Sequence, residues 1–175
     1  MVTRLKPPAL PPPFEEAMRR HDREIMRFIL RMTADREDAL DLFQETFLRA
    51  YRAYPTLDCE EGLRPWLFKI ASNLCRNRVR DRMRHARVIS YDTSSESLDG
   101  IDLAHSRNHS NPGSHDGTLD LKRAIAKLPG KQGQAFVMRK VVGLEYSEIA
   151  AALSCSEESA RAGVYQAIRK LKELR

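Results

Sequence analysis

Apolar side chains recur every three or four residues through two blocks of this chain, and that spacing most restricts its fold. Phe14, Met18, Ile25, Phe28, Ile29 and Met32 open the first block, and Ile149, Leu153, Ala160, Val164, Ile168 and Leu171 close the second. The period fits the 3.6-residue turn of a helix rather than the two-residue alternation of a strand. Aromatics make up only 7% of the 175 residues and charged groups 31%, a mixture poor in the side chains that strands favour. An all-α chain of two small helical domains is expected.

The blocks are set apart by composition. Residues 1–13, "MVTRLKPPALPPP", are proline-rich and expected to be disordered. A first helical domain is expected over 14–89. The text then changes over 90–117 to "SYDTSSESLDGIDLAHSRNHSNPGSHDG", which reads as a flexible linker before a second domain over 118–175. His105, His109 and His115 lie in that linker without an acidic or thiol partner at ligand spacing, so a polar tether is expected there and no metal site. Cys59, Cys75 and Cys155 are scattered without pairing and read as small hydrophobes in a reducing compartment. No apolar run reaches membrane-spanning length, and prolines stand where a signal peptide needs an apolar core. A cytoplasmic protein without membrane insertion is expected. No carboxylate cluster, nucleophile dyad or phosphate loop occurs at useful spacing, so neither an enzyme nor a cofactor is expected. The net charge of +6 suits a polyanionic partner.

Within the first block, a helix over 14–32 is followed by "TADREDALDLFQETFLRAYRAY", with Thr33 or Asp35 as the cap. Ala39, Leu42, Phe43, Thr46, Phe47, Ala50 and Tyr54 form its inner face. Asp38, Asp41, Gln44, Glu45, Leu48, Arg49 and Arg52 are left outside, and an exposed Leu48 among charges marks a docking surface. In "RPWLFKIASNLCRNRVRDRMRHAR", Pro65 fits a first helical turn. Leu67, Ile70, Ala71 and Leu74 share one face. Cys75, Val79, Met83 and Ala86 share another, offset by over roughly 100° on the helical wheel. A break near Asn73 is expected from that shift. Arg76, Arg78, Arg80, Arg82 and Arg84 follow, with only Asp81 to answer them, which suits phosphates.

The second block is punctuated by Pro129 and Gly143, and "EYSEIAAAL" reads as the first helix of a helix-turn-helix. Ser156 is a good cap for a recognition helix starting at Glu157. Gly163 inside that helix suggests that something needs close approach there.

"DALDLFQETFLRAYR" followed by "RPWLFKIASNLCRNRVR" resembles the promoter-melting domain of bacterial sigma factors of the extracytoplasmic-function group, whose usual text is near D-A-E-D-L-V-Q-E-T-F and then W-L-x-x-I-A-x-N. Leu40 stands where the family usually has an acid. The resemblance implies a region 2 bundle and a region 4 helix-turn-helix in a transcription initiation factor. It implies that Asp38, Asp41, Gln44, Glu45, Leu48 and Arg49 grip RNA polymerase core, at the largest-subunit clamp helices, with the flap as a further contact. Asn73 would enter a loop that captures a flipped minus-ten base, with Arg76, Arg78, Arg80, Arg82 and Arg84 on DNA phosphates. In the minus-thirty-five reader, Arg161, Gln166, Arg169 and Lys170 would meet promoter DNA. The family's usual lysine, serine and arginine run is replaced by Arg161, Ala162 and Gly163, and Glu145 replaces the usual Ser or Thr cap. A cognate anti-sigma protein is implied as a partner. The alternative reading is a sigma-like decoy that sequesters such a protein.

Overall fold

The computed structural model describes residues 10–33, 35–92, 121 and 123–173. Its main helices are α1 (Phe14–Met32), α2 (Arg36–Ala53), α3 (Leu63–Asp92), α4 (Gly130–Val137), α5 (Tyr146–Leu153) and α6 (Glu157–Glu173). Two short 3₁₀ turns, Tyr54–Thr56 and Glu60–Gly62, join α2 to α3. A π-helical turn, Met138–Val142, extends α4. No strand occurs among the described residues.

α1 occupies the span that its apolar spacing marks. Glu15 and Glu16 sit in its first turn, where the helix dipole favours acids. Thr33 ends it, with its N–H and Oγ1 both donating to the Ile29 carbonyl at 2.9 Å. Phe14 packs edge-on against Phe47, Tyr51 and Tyr54 and so pins the start of α1 to α2. α2 buries Ala39, Leu42, Thr46, Phe47 and Ala50, the face its period predicts, and Thr46 Oγ1 is satisfied by the Leu42 carbonyl at 2.6 Å. Asp35 stands at its N-cap without a side-chain capping bond.

α3 corrects the sequence reading. It runs unbroken from Leu63 to Asp92 through Asn73, so there is no break or loop at that residue. It also passes the expected domain limit at 89. The two apolar faces lie on this one helix, and of the second only Cys75 is buried among the described side chains. α1 and α2 pack on one side of α3, where Phe28 and Phe68 meet at 5.5 Å. α5 also packs on α3, and the buried Gln134 of α4 donates to the Ser72 carbonyl at 2.7 Å. Leu67, Ala71 and Leu74 of the first face and Cys75 of the second are all buried on one unbroken helix. Beyond Cys75 the second face emerges, leaving Val79 42% and Met83 48% exposed.

In the second half, Pro129 caps α4 and Gly143 ends the π turn at φ +90°, the left-handed region that glycine enters without strain. Glu145, despite replacing a hydroxyl cap, forms a reciprocal capping box with Glu148. Ser154 at φ 49° turns the chain between α5 and α6, and Ser156 Oγ accepts the Ser159 N–H at 3.1 Å as the cap of α6. Ile149, Leu153, Ala160, Val164 and Ala167 form the seam between the pair. The two halves share one continuous apolar core instead of standing apart. Of the expected disordered tail over 1–13, residues 10–13 are described, and the Pro12 carbonyl accepts the Tyr54 hydroxyl at 2.5 Å. Residues 1–9, and 93–117 of the linker expected over 90–117 with its three histidines, lie outside the described residues.

Candidate nucleic-acid interface

The outer face of α2 presents Asp41, Gln44, Leu48 and Arg49 to solvent, with Leu48 45% exposed and Glu45 half-buried. Arg49 Nε donates to Glu45 one turn back at 2.6 Å, which holds both head groups on this face. Asp38 does not join them. Its side chain is 13% exposed and turned toward α3, where Arg78 lies 3.2 Å away and Arg82 is also paired to it. Leu40 and Tyr51 add further exposed apolar surface to α2.

The arginines of α3 therefore divide into two sets. Arg78 and Arg82 are tied to α2 through Asp38, and they line a groove with Asp41, Glu45 and Arg49 on its opposite wall. Among the described residues, Arg76, Arg80 and Arg84 have local partners, namely Asn73, Asn77 at 3.1 Å and Asp81 at 3.9 Å. These three are exposed and can turn to an external phosphate at little cost. Asn73 is half-buried, and its Oδ1 accepts the Arg76 guanidinium. It projects from helix, so any base reaching it must come to the α3 surface.

α6 separates its candidates in the same way. Arg161 lies over the Tyr146 ring at 4.5 Å, and Arg139 also lies over that ring at 4.9 Å. Glu157 stands 3.7 Å from Arg161. Gln166 and Lys170 both bond Gln132 of α4, which draws them to one flank. Arg169 points outward, with Glu173 3.7 Å away. The outward face also carries Ala162 and Tyr165, the latter 69% exposed. Tyr146, Arg139 and Tyr165 escaped the sequence reading. An aromatic in the first turn of the first helix, and another four residues beyond Arg161, were the available signals.

The sequence pattern of Sigma-70 region 2 matches residues 17–85, and that of Sigma-70, region 4 matches residues 118–171. The RNA polymerase sigma factor CarQ of Myxococcus xanthus is 30% identical over 161 residues, covering 92% of this chain and 88% of that protein. The chain belongs to the ECF sigma factors. The ECF RNA polymerase sigma factor SigE of Mycolicibacterium smegmatis is also 30% identical, over 93% of this chain but only 61% of its own length. SigM of Bacillus subtilis is 28% identical over 91% of this chain and 93% of that one. Among solved structures, the sigma factor RpoE in complex with the anti-sigma factor NepR from Bartonella quintana superposes with a TM-score of 0.66 at 23% identity, covering 92% and 95% of the two chains. CnrH in complex with the cytosolic domain of CnrY gives 0.64 at 22% identity, over 92% and 86%. At these identities the likeness shows a shared fold. In this sigma factor no metal-ligating cluster occurs among the described residues, and no described helix is long and apolar enough to cross a membrane.

Proposed function

We propose that this sigma factor directs RNA polymerase core to promoters, docking through the α2 face and melting DNA against α3. The observation that carries this reading is the adjacency of two unlike surfaces on one rigid pair of helices. Asp41, Gln44, Leu48 and Arg49 form a mixed apolar and charged protein-docking face, while Arg76, Arg80 and Arg84 form a cationic strip on the next helix. A mixed face of this kind suits the clamp helices of the largest subunit, and the strip suits the phosphates of a displaced strand. Asn73, held by Arg76, is the candidate for contacting a flipped minus-ten base. On α6, Arg169, Tyr165 and Ala162 face outward for the minus-thirty-five groove, with Arg161 placed for phosphate at its edge. Contact of the second half with the polymerase flap belongs to the same proposal.

Control by a cognate anti-sigma protein is part of this reading, since the two structures of similar fold were solved with anti-sigma partners. Run-off transcription with purified core polymerase tests the whole. Promoter-specific transcripts are expected only when this chain is added. A chain that binds an anti-sigma protein but never yields a transcript would instead be the sequestering decoy.

A further inference from the structure

Tyr146, in the first turn of α5, carries two guanidinium groups on its ring, one from before it in the chain and one from after. Arg139 of the π turn lies over the ring at 4.9 Å, and Arg161 of α6 at 4.5 Å. The two arginines are not equivalent. Arg139 NH1 donates to the Leu144 carbonyl at 2.8 Å and lies 3.1 Å from Glu145 Oε1, which fastens it to the turn leading into α5. Its side chain is 29% exposed. Arg161 is 61% exposed, and Glu157 one turn back stands 3.7 Å away, beyond hydrogen-bond length.

The place of Arg161 matters because cations are scarce on this part of α6. Between Glu157 and Ile168 it is the only basic residue, and Glu157 and Glu158 precede it. Both acids suit the helix dipole but repel a phosphate chain. In a helix-turn-helix the N-terminal end of the second helix meets the groove, and Ser156 caps that end here. A long exposed arginine samples many rotamers, and ordering it on DNA costs entropy. A guanidinium lying on an aromatic face has already lost much of that freedom, while its in-plane N–H donors stay available. The ring beneath it is steady. Tyr146 is half-buried and follows directly on the capping box of Glu145 and Glu148.

We propose that Tyr146 is a positioning residue for promoter binding. Its ring, steadied by Arg139, holds the Arg161 guanidinium across the corner between α5 and α6, placed for a backbone phosphate before DNA arrives. This rests on the minus-thirty-five assignment above. It adds a residue of the first helix of the pair that acts on DNA through another side chain.

The test uses holoenzyme reconstituted from the full chain and core polymerase, titrated with the duplex that the wild type selects from a random pool. Arg161→Ala should lower the salt dependence of binding by about one phosphate contact. Tyr146→Leu should weaken binding roughly two- to fivefold, the worth of an exposed cation–π contact, and Tyr146→Phe should restore it. With Arg161→Ala already in place, Tyr146→Leu should cost nothing more. In the free chain, the Arg161 side-chain proton resonances should be displaced by the ring current in the wild type and Tyr146→Phe, but not in Tyr146→Leu. That displacement in the wild type needs no variant to fold. Undisplaced resonances there, an unchanged salt dependence in Arg161→Ala, or a Tyr146→Leu loss that persists without Arg161 would each overturn the proposal. So would Tyr146→Phe as weak as Tyr146→Leu, which would assign the effect to the hydroxyl. If the wild-type holoenzyme selects no duplex at all, the promoter-reading assignment falls and the proposal with it, and displaced resonances would then mark the stack as a structural contact alone.

Discussion

The Asp38 carboxylate on α2 accepts a hydrogen bond from Arg82 on α3, 44 residues further along the chain. This contact, shared with Arg78, makes Asp38 a brace between two helices instead of a member of the docking face. Gln44→Ala and Arg49→Ala should each change stability by no more than about 0.5 kcal/mol, since both side chains are exposed. Each should still weaken binding to core polymerase, by roughly tenfold at a well-packed contact. Asp38→Asn should do the reverse, costing about 1 kcal/mol of stability with a smaller loss of core affinity. Chemical denaturation beside a polymerase titration measures both. A large stability loss in Gln44→Ala or Arg49→Ala would show that the outer face of α2 has been misassigned.

Asn73→Ala should leave the fold intact, because its described side-chain bond is the one it accepts from the exposed Arg76. Promoter opening should slow, and discrimination at one minus-ten position should drop roughly ten- to a hundredfold, the usual cost of a lost base contact. A pre-melted bubble should recover part of the rate. Arg80→Ala should weaken all sequences alike and flatten the salt dependence. Equal opening rates on every promoter variant would remove Asn73 from the reading.

Gly163 lies within α6, and a methyl group added there would meet only the Ala135 Cβ, at 3.7 Å, an ordinary contact. The sequence reading that something needs close approach at this glycine is thus not what the packing shows. Gly163→Ala should stabilise the protein by about 1 kcal/mol through helix propensity. In a chain of this size that corresponds to a melting temperature roughly 2–4 °C higher. An unchanged or lower melting temperature would point to strain not visible in the packing around Ala135.

Burial pushes the Cys75 thiol up to about 12, so it stays protonated far above the range of an exposed thiol. The sign follows directly: the folded state resists ionisation that the unfolded chain permits. This contribution to stability is complete below about pH 9 and is lost as pH rises from there toward 12. Alkylation at pH 8 should mark Cys59 and Cys155, both half-buried, well before Cys75. Mass spectrometry of the modified peptides reads the order directly, and early labelling of Cys75 would mean that α3 opens from its cover.

Local chemistry set much of this architecture. The bounds of α1 follow from apolar spacing, the start of α4 from Pro129, the end of its π turn from Gly143, and the start of α6 from the Ser156 hydroxyl. Each depends on residues within a turn or two of itself, which is why each was legible in the sequence. The outward placing of Asp41, Gln44, Leu48 and Arg49 was legible for the same reason, since one helical period fixes which side faces away. The continuity of α3 was not. A helical wheel reveals two apolar faces but cannot say whether the chain bends to bury both or leaves most of one open to solvent. Val79 and Met83 stay exposed, while α1, α2 and α5 pack on α3, and only the tertiary packing decides that. The turning of Asp38 toward Arg78 and Arg82, and a bridge from Arg64 to Glu24 and Glu148, were decided the same way. A charged side chain takes its partner from whatever the packed core places within reach, and sequence spacing carries no record of that distance.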